Sequence, residues 1–338
     1  MKINREEVLE QLQSVRAGLS QKDIIEQSSC FVFRDGKVHT FNDEVACSRE
    51  CNLGFEGAVR SKALLEVLQK LPEEVLDITA KVGEEAEAEL RITGKNRNIG
   101  IRLESEISLP LDAIETPEKW RRLPEDFGDG IAIVKHCASK ESSDHFCTTC
   151  IHISPTAVEA TDNYQAARFT MKTGFKTAVL ARRDALAPIS DLGVTSVAET
   201  ASWIHFKSST GLIYSCRKYL DQFPDISPIL VGDGQKVNLP KSINGAIDIA
   251  QVFSAENADE NQVRIQLVDG KVKVTGKGNS GWYSEVKKAN YTGPKITFDI
   301  SPTLLLDIIS RHNECKIGGG ALRVESGNFL FATSLSVE

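Results

Sequence analysis

Long apolar runs are missing from this chain. Nowhere does a hydrophobic stretch approach the roughly 18 residues that a membrane span needs, and the opening residues Lys2, Asn4, Arg5, Glu6 and Glu7 are polar or charged, unlike a secretory leader. Neither export nor membrane insertion is expected. A disulfide framework is missing too, because the eight cysteines are scattered singly through 338 residues, as reduced thiols in a cytosol are. The third lack is positive charge. With 40 Lys and Arg against 47 Asp and Glu, the net charge is −7, so bulk electrostatics cannot grip nucleic acid and any DNA association must come from a local basic surface. A cytoplasmic protein is expected.

What is present is an ordinary globular composition, 41% apolar and 26% charged, in a chain long enough for two or three cores. Its main feature is an internal repeat. Apolar residues at helical spacing predict amphipathic helices beginning near Arg5, Glu125 and Lys241, as in Val8, Leu9, Leu12 and Val15 or Ile243, Ala246, Ile247 and Ala250. Second helices are predicted near Ser61, Arg183 and Ser301, where Leu64, Leu65, Val67 and Leu68 are echoed by Leu304, Leu305, Ile308 and Ile309. Between the helices lie β-branched and aromatic runs joined by turn chemistry: Cys30 to Phe33, Asp35-Gly36, Val38 to Phe41, and again Val263 to Val268, Asp269-Gly270, Val272 to Thr275. A further strand pair follows each second helix: Glu89 to Thr93 with Asn98 to Leu103, Trp203 to Lys207 with Leu212 to Cys216, and Ala321 to Glu325 with Phe329 to Leu335. Helix, strands, helix, strands therefore recurs three times. Prolines 110, 117, 224, 228 and 240 mark the joints, and predict domains 1–116, 117–231 and 232–338.

Two local patterns suggest other chemistry. Gly276 to Gly281 has the spacing of a dinucleotide-binding glycine motif, but Trp282 to Val286 reads as strand where that motif needs a helix, so a hairpin loop is expected. His145, Cys147, Cys150 and His152 have metal-ligand spacing, yet alternation along a strand would split them between two faces. No Ser/His/Asp set or carboxylate pair sits in a catalytic context. No catalytic residue, metal or cofactor is expected.

Over essentially its whole length the chain resembles the bacterial and phage sliding clamps, the β subunits of the replicative DNA polymerase (DNA polymerase III). The resemblance rests on Gly57 to Pro72, on Ala160-Thr161-Asp162 followed by Asn163 to Ala167, on Phe223-Pro224-Asp225, and on Ile296 to Ile309. Two stretches depart from the pattern. Asn163, Tyr164, Gln165 and Ala166 stand where the family has Gly, His, Arg and Leu, and the chain ends in Phe331 to Glu338 instead of a methionine- and proline-containing tail.

The resemblance implies an α+β fold of three tandem DNA-clamp domains, each with two helices packed on antiparallel sheets, and a head-to-tail ring of two chains around double-stranded DNA. It implies a non-catalytic processivity factor whose partners are DNA polymerase, clamp loader and other proteins carrying a clamp-binding motif. By similarity Lys22, Arg60, Lys62, Lys140, His145, Phe146, Arg182 and Arg183 would face DNA. Partner peptides would dock at Cys147, Thr161, Asn163, Tyr164, Gln165, Ala166, Pro224, Pro228 and Ile229, with Ala332, Thr333, Ser334 and Leu335. Ile99 and Ile101 on a strand edge and Val252 and Phe253 on the opposing helix would seal the homodimer, membership of the intradomain core being the alternative for these four. The competing functional readings are a monomeric peptide- or DNA-binding repeat module and a hydrolytic enzyme.

Overall fold

The computed structural model describes residues 1–82, 88–140, 145–256, 261–312 and 314–336. Its helices are α1 (Arg5–Ser14), α2 (Ser61–Lys70), α3 (Phe127–Val134), α4 (Arg183–Leu186), α5 (Ser227–Leu230), α6 (Asn244–Ser254) and α7 (Pro302–Arg311). The six predicted helices correspond to all of these but α5. α1 starts where Asn4 caps it, the side-chain oxygen accepting from the amides of Glu6 (2.9 Å) and Glu7 (3.2 Å). α3 and α6 begin later than predicted because Pro124 and the 3₁₀ turn Lys241–Ile243 occupy the approaches. α4 is a single turn, since Pro188 follows it and the chain tightens into the 3₁₀ turn Ala187–Ser190.

The strands recur with the helices. A short strand, Lys2–Asn4, Arg121–Arg122 or Gln235–Asn238, precedes the first helix of each repeat, and after that helix come four strands, a second helix and three more strands: Cys30–Arg34, Lys37–Phe41, Val45–Glu50 and Gly57–Arg60 before α2, with Val75–Val82, Ala88–Thr93 and Asn98–Glu104 after it. Cys150–Ile153, Ala157–Thr161, Gln165–Thr170 and Val179–Arg182 precede α4, with Val194–Glu199, Trp203–Ser208 and Ile213–Arg217 after it. Val263–Val268, Lys271–Lys277, Trp282–Lys288 and Ile296–Ile300 precede α7, with Glu314–Gly318, Ala321–Ser326 and Phe329–Ser334 after it. Asp35-Gly36 and Asp269-Gly270 turn their hairpins with both residues at positive φ, 54° and 70° in one, 48° and 70° in the other. That is the two-residue turn whose twist matches the strands.

By packing, the chain forms two compact units. One comprises Met1–Lys135, Lys140–Thr156 and Lys172–Gln222; the other comprises His136–Ser139, Ala157–Met171 and Phe223–Glu338. The second repeat is thus shared between them.

The first unit is built on a twelve-stranded antiparallel sheet that runs through two repeats without a break. The junction is the third strand of the first repeat, Val45–Glu50, paired with the last strand of the second: Ile213 faces Ser48, Tyr214 faces Cys47, Ser215 faces Ala46 and Cys216 faces Val45. In the second unit the equivalent strands make an equivalent junction. Gln165–Thr170 pairs with Phe329–Ser334, placing Ala166 opposite Ala332 and Ala167 opposite Phe331. The remaining strands of that unit include a four-stranded sheet ordered Trp282–Lys288, Lys271–Lys277, Val263–Val268, Ile296–Ile300.

Helices cover these sheets through buried apolar stripes, Leu64, Leu65 and Leu68 of α2 and Ala246, Ile247 and Ala250 of α6. Each fully buried leucine contributes about 1.5–3 kcal/mol. α6 lies so close to its sheet that a Cβ at Gly276 would stand 2.1 Å from the Ala250 carbonyl oxygen, so only glycine fits. No helix among the described residues is long and apolar enough to cross a membrane.

Two local expectations change. Residues 145–152 are not one strand: His145 precedes the 3₁₀ turn Phe146–Thr149, and only Cys150 and His152 lie on a strand. The alternation argument for splitting that set therefore does not apply, although among the described residues no group of three His, Cys, Asp or Glu could hold a metal. Gly276 to Gly281 does belong to a hairpin, closed by the Gly278 amide donating to the Gly281 carbonyl at 2.9 Å.

Candidate functional site

The residues expected to receive partner peptides gather, with one exception, in the second unit. Thr161 ends a strand and Gln165 begins the next. Between them Asp162 accepts hydrogen bonds from the amides of Tyr164 (3.0 Å) and Gln165 (2.7 Å), and Asn163 takes a positive φ of 75°, which asparagine tolerates. This turn presents Tyr164 with 73% of its surface exposed. Beside it, the facing pair Ala166 and Ala332 forms a small-residue floor against which α5 packs Ile226 and Leu230, with Phe223 and Leu330 at the margin.

α5 is held from both ends of its backbone. Asp225 accepts from the Ser227 amide at 2.9 Å, and Arg323 donates to the Ile229 carbonyl at 2.9 Å. The Ser227 hydrogen bonds hold the Asp225 carboxyl below its usual range. Pro228 and Ile229 remain exposed. So does Val231, at 68%, a residue that sequence reading missed although an apolar side chain in a proline-flanked loop was the available signal.

The other expected cleft residues differ in exposure and in unit. Thr333 and Leu335 are buried, at 2% and 8% exposure, as are Thr161, Ala166 and Ala332, and the Leu335 amide donates to the Gly320 carbonyl, while Ser334 is exposed. Cys147 belongs to the first unit, half-buried in the 3₁₀ turn there.

Among the candidate DNA-facing residues, the basic side chains at the starts of α2 and α4 are tethered to different degrees. Arg60 pairs with Asp23 and donates to the Ser29 hydroxyl at 2.6 Å. Burial alone would raise the Asp23 carboxyl, but hydrogen bonds from Ser29 and Arg60 hold it below its usual range. Arg182 pairs with Glu44 at 3.1 Å and lies over the Phe146 ring, 5.0 Å from its centroid. Phe146 meets Tyr219 edge-on at 4.7 Å, and the Tyr219 hydroxyl donates to Glu44 at 2.8 Å. That closed box makes Phe146 a support for Arg182. Arg183 has 15% of its side chain exposed and pairs with Asp184 at 3.6 Å.

Lys22, Lys62, Lys140 and His145 are exposed. Lys62 lines a hollow of about 450 Å³ together with Arg16, Ser20, Gln21 and Gln69. Arg16 was not anticipated, because it sits one turn past α1 and no repeat partner marks it.

The expected dimer residues fall on one strand, Asn98–Glu104, and on one helix, α6. Ile101 is 8% exposed and packs inside its own repeat, while Ile99 is half-buried. On α6, Val252 is 66% exposed and Phe253 half-buried, and Ile249 extends the same stripe at 47% exposure.

This arrangement defines a fold class, an α+β fold of tandem clamp domains in which helices pack on antiparallel sheets. The particular fold is that of the bacterial DNA polymerase III β sliding clamp. The Streptococcus pneumoniae β chain superposes with a TM-score of 0.85 at 16% identity, covering 100% of this chain and 99% of that one. Sliding clamps from Pseudomonas aeruginosa (0.84, 14% identity, 100% and 99% covered) and Bacillus subtilis (0.82, 15%, 100% and 98%) give the same result. No family model matches the sequence, and no curated protein matches it. At such identities the likeness is one of fold.

Proposed function

We propose that the chain is a sliding clamp, two copies of which close head to tail around duplex DNA and tether polymerase, clamp loader and other motif-bearing partners without catalysing a reaction. One observation carries this reading. In the first two repeats the third strand is joined to the last strand of the following repeat, yet the third strand of the last repeat, Trp282–Lys288, is the outer edge of its sheet.

The matching last strand of the first repeat, Asn98–Glu104, is open as well. It meets Gly57–Arg60 only through Leu103 and Glu104, leaving 98–102 unpaired on that side among the described residues. Open edges of this kind pair with another chain, and a second copy offers the complement of each. Rotation about such head-to-tail contacts closes a ring, and Ile99, Val252 and Phe253 then lie where the joint forms.

A closed ring holds DNA topologically, so a net charge of −7 is no obstacle and the exposed Arg16, Lys22 and Lys62 need only guide the duplex. The apolar surface of Tyr164, Ile229 and Val231 is suited to anchoring a short peptide. The test is retention on nicked circular DNA with loss after linearisation, alongside a dimer on gel filtration. Salt-sensitive binding to both DNA forms, or a persistent monomer, overturns the reading.

A further inference from the structure

The four-stranded sheet of the second unit has two unlike faces. Side chains alternate along a strand and cross-strand partners share a side. Val272, Val274 and Gly276 point toward α6 and are buried. On the opposite face Lys271, Lys273, Thr275 and Lys277 stand in a row, facing Lys288, Val286, Ser284 and Trp282 on the edge strand. Arg264 and Gln266 continue the same face on the other side, opposite Thr275 and Lys273, with Asp299 and Thr297 beyond them.

The charges on this face are one-sided. Arg264 is satisfied by Asp299 through two hydrogen bonds of 2.9 and 2.8 Å, and Asp269 lies in the adjoining turn. Lys271, Lys273, Lys277 and Lys288 are exposed and join no ion pair among the described residues. Trp282 is 70% exposed and Val286 53%. Trp282 stands opposite Lys277 at one end of this face and Val286 opposite Lys273, and four unneutralised lysines make the face positive in a chain whose net charge is −7.

We propose that this face binds single-stranded DNA. Residues two apart on a strand are about 6.7 Å apart, so Lys271 and Lys273 stand at that spacing and Lys277 at about twice it, with Thr275 between, along the path of an extended phosphate backbone. Trp282 supplies a stacking platform at its end, and Gln266, Thr275, Ser284 and Thr297 supply donors and acceptors for base edges. A duplex keeps its bases stacked away from such a platform, and a flat sheet face enters neither groove. The lysine row alone would also suit an acidic protein segment, but the open indole and the amide and hydroxyl groups favour bases. The lysine row lies on the strand next to the open edge, and Trp282 on the edge strand itself, so the surface borders the proposed joint while all its residues come from one chain.

The test is fluorescence anisotropy of the full-length protein with a fluorescein-labelled oligothymidylate of about 16 nucleotides, within the site size of sheet-based binders. A duplex of equal length and a polyglutamate peptide serve as comparisons. Binding to the oligothymidylate is expected to weaken about tenfold in Trp282→Ala and to recover in Trp282→Phe. Lys273→Glu with Lys277→Glu should abolish it, and Lys62→Ala should leave it unchanged. Each single lysine removal should lower the salt dependence by about 0.7 in the log–log slope. Thermal melts of all variants establish that they are folded. Absence of oligothymidylate binding by the unaltered protein, equal binding by the folded variants, or lysine-dependent binding of polyglutamate in its place overturns the proposal.

Discussion

Val45–Glu50 and Trp282–Lys288 hold the same place in their repeats, yet one is sealed inside a continuous sheet and the other ends a sheet. The sealed strand carries Val45, Ala46 and Cys47, all buried, and its counterpart Gln165–Thr170 carries the buried Ala166 and Ala167. The open strand carries Trp282, Val286, Lys287 and Lys288, with alternate positions exposed. Small apolar residues let two strands and their covering elements close permanently. Lysines on an edge oppose indiscriminate pairing. The difference between a sealed strand and an open one is therefore written in the side chains of equivalent strands.

The largest expected effect comes from breaking a sealed joint. Ala332 is fully buried opposite Ala166, so Ala332→Asp places an unpaired charge there and should cost about 4 kcal/mol, read as a collapse of the thermal melting temperature. Acid should strain the other sealed joint nearly as much. His205 is 1% exposed, its Nδ1 2.7 Å from the Ser215 hydroxyl and its Nε2 3.1 Å from that of Thr200, directly behind the junction strand Ile213–Arg217. Burial, aided by Lys218, lowers its pKa to about 4, against the opposing pull of Glu115. Because the folded-state value lies below the unfolded one of about 6.5, the unfolded chain binds the proton more readily between them. Stability is then complete above pH 6.5 and falls by about 3 kcal/mol as the pH drops to 4. Urea titrations at stepped pH, with His205→Gln as the flattened control, measure this.

The open joint should break without unfolding anything. Val252→Glu alters an exposed residue, so its effect on the melt should stay within about 0.5 kcal/mol, while the dimer dissociation constant rises about 30-fold or more, read by sedimentation. The smallest expected effect sharpens the contrast from outside both joints. Ile229→Asp should weaken binding of a clamp-binding peptide about tenfold and leave both the melt and the dimer unchanged. Val231→Asp is a second probe of that surface, whereas a substitution at buried Leu335 would confound binding with packing.

The repeat, its helices and its hairpins were legible because each leaves a local signature: apolar spacing of three and four, Asp-Gly turns, a capping asparagine. The joints were not. That Ala166 faces Ala332, 166 positions further along the chain, is a long-range register that no local pattern encodes. The resemblance to clamps transferred positions and not exposures: of the tail residues it named together, Thr333 and Leu335 are buried and Ser334 is exposed, and it did not mark the exposed Val231, Ile249 and Arg16. Arg60 and Arg182 look alike as basic residues before a helix, and only the fold reveals Asp23 and Glu44 beside them.

The pairing of Gln165–Thr170 with Phe329–Ser334 has one more consequence. Side chains on a strand repeat every two residues, so a slide of one position would turn Ala166 and Ala332 outward and carry their neighbours in. Such a joint has discrete settings, like the teeth of a rack, with nothing stable between them. If the proposed ring closes through joints of this kind, its circumference is fixed in whole steps, and it opens by unfastening one clasp that refastens in the same notch.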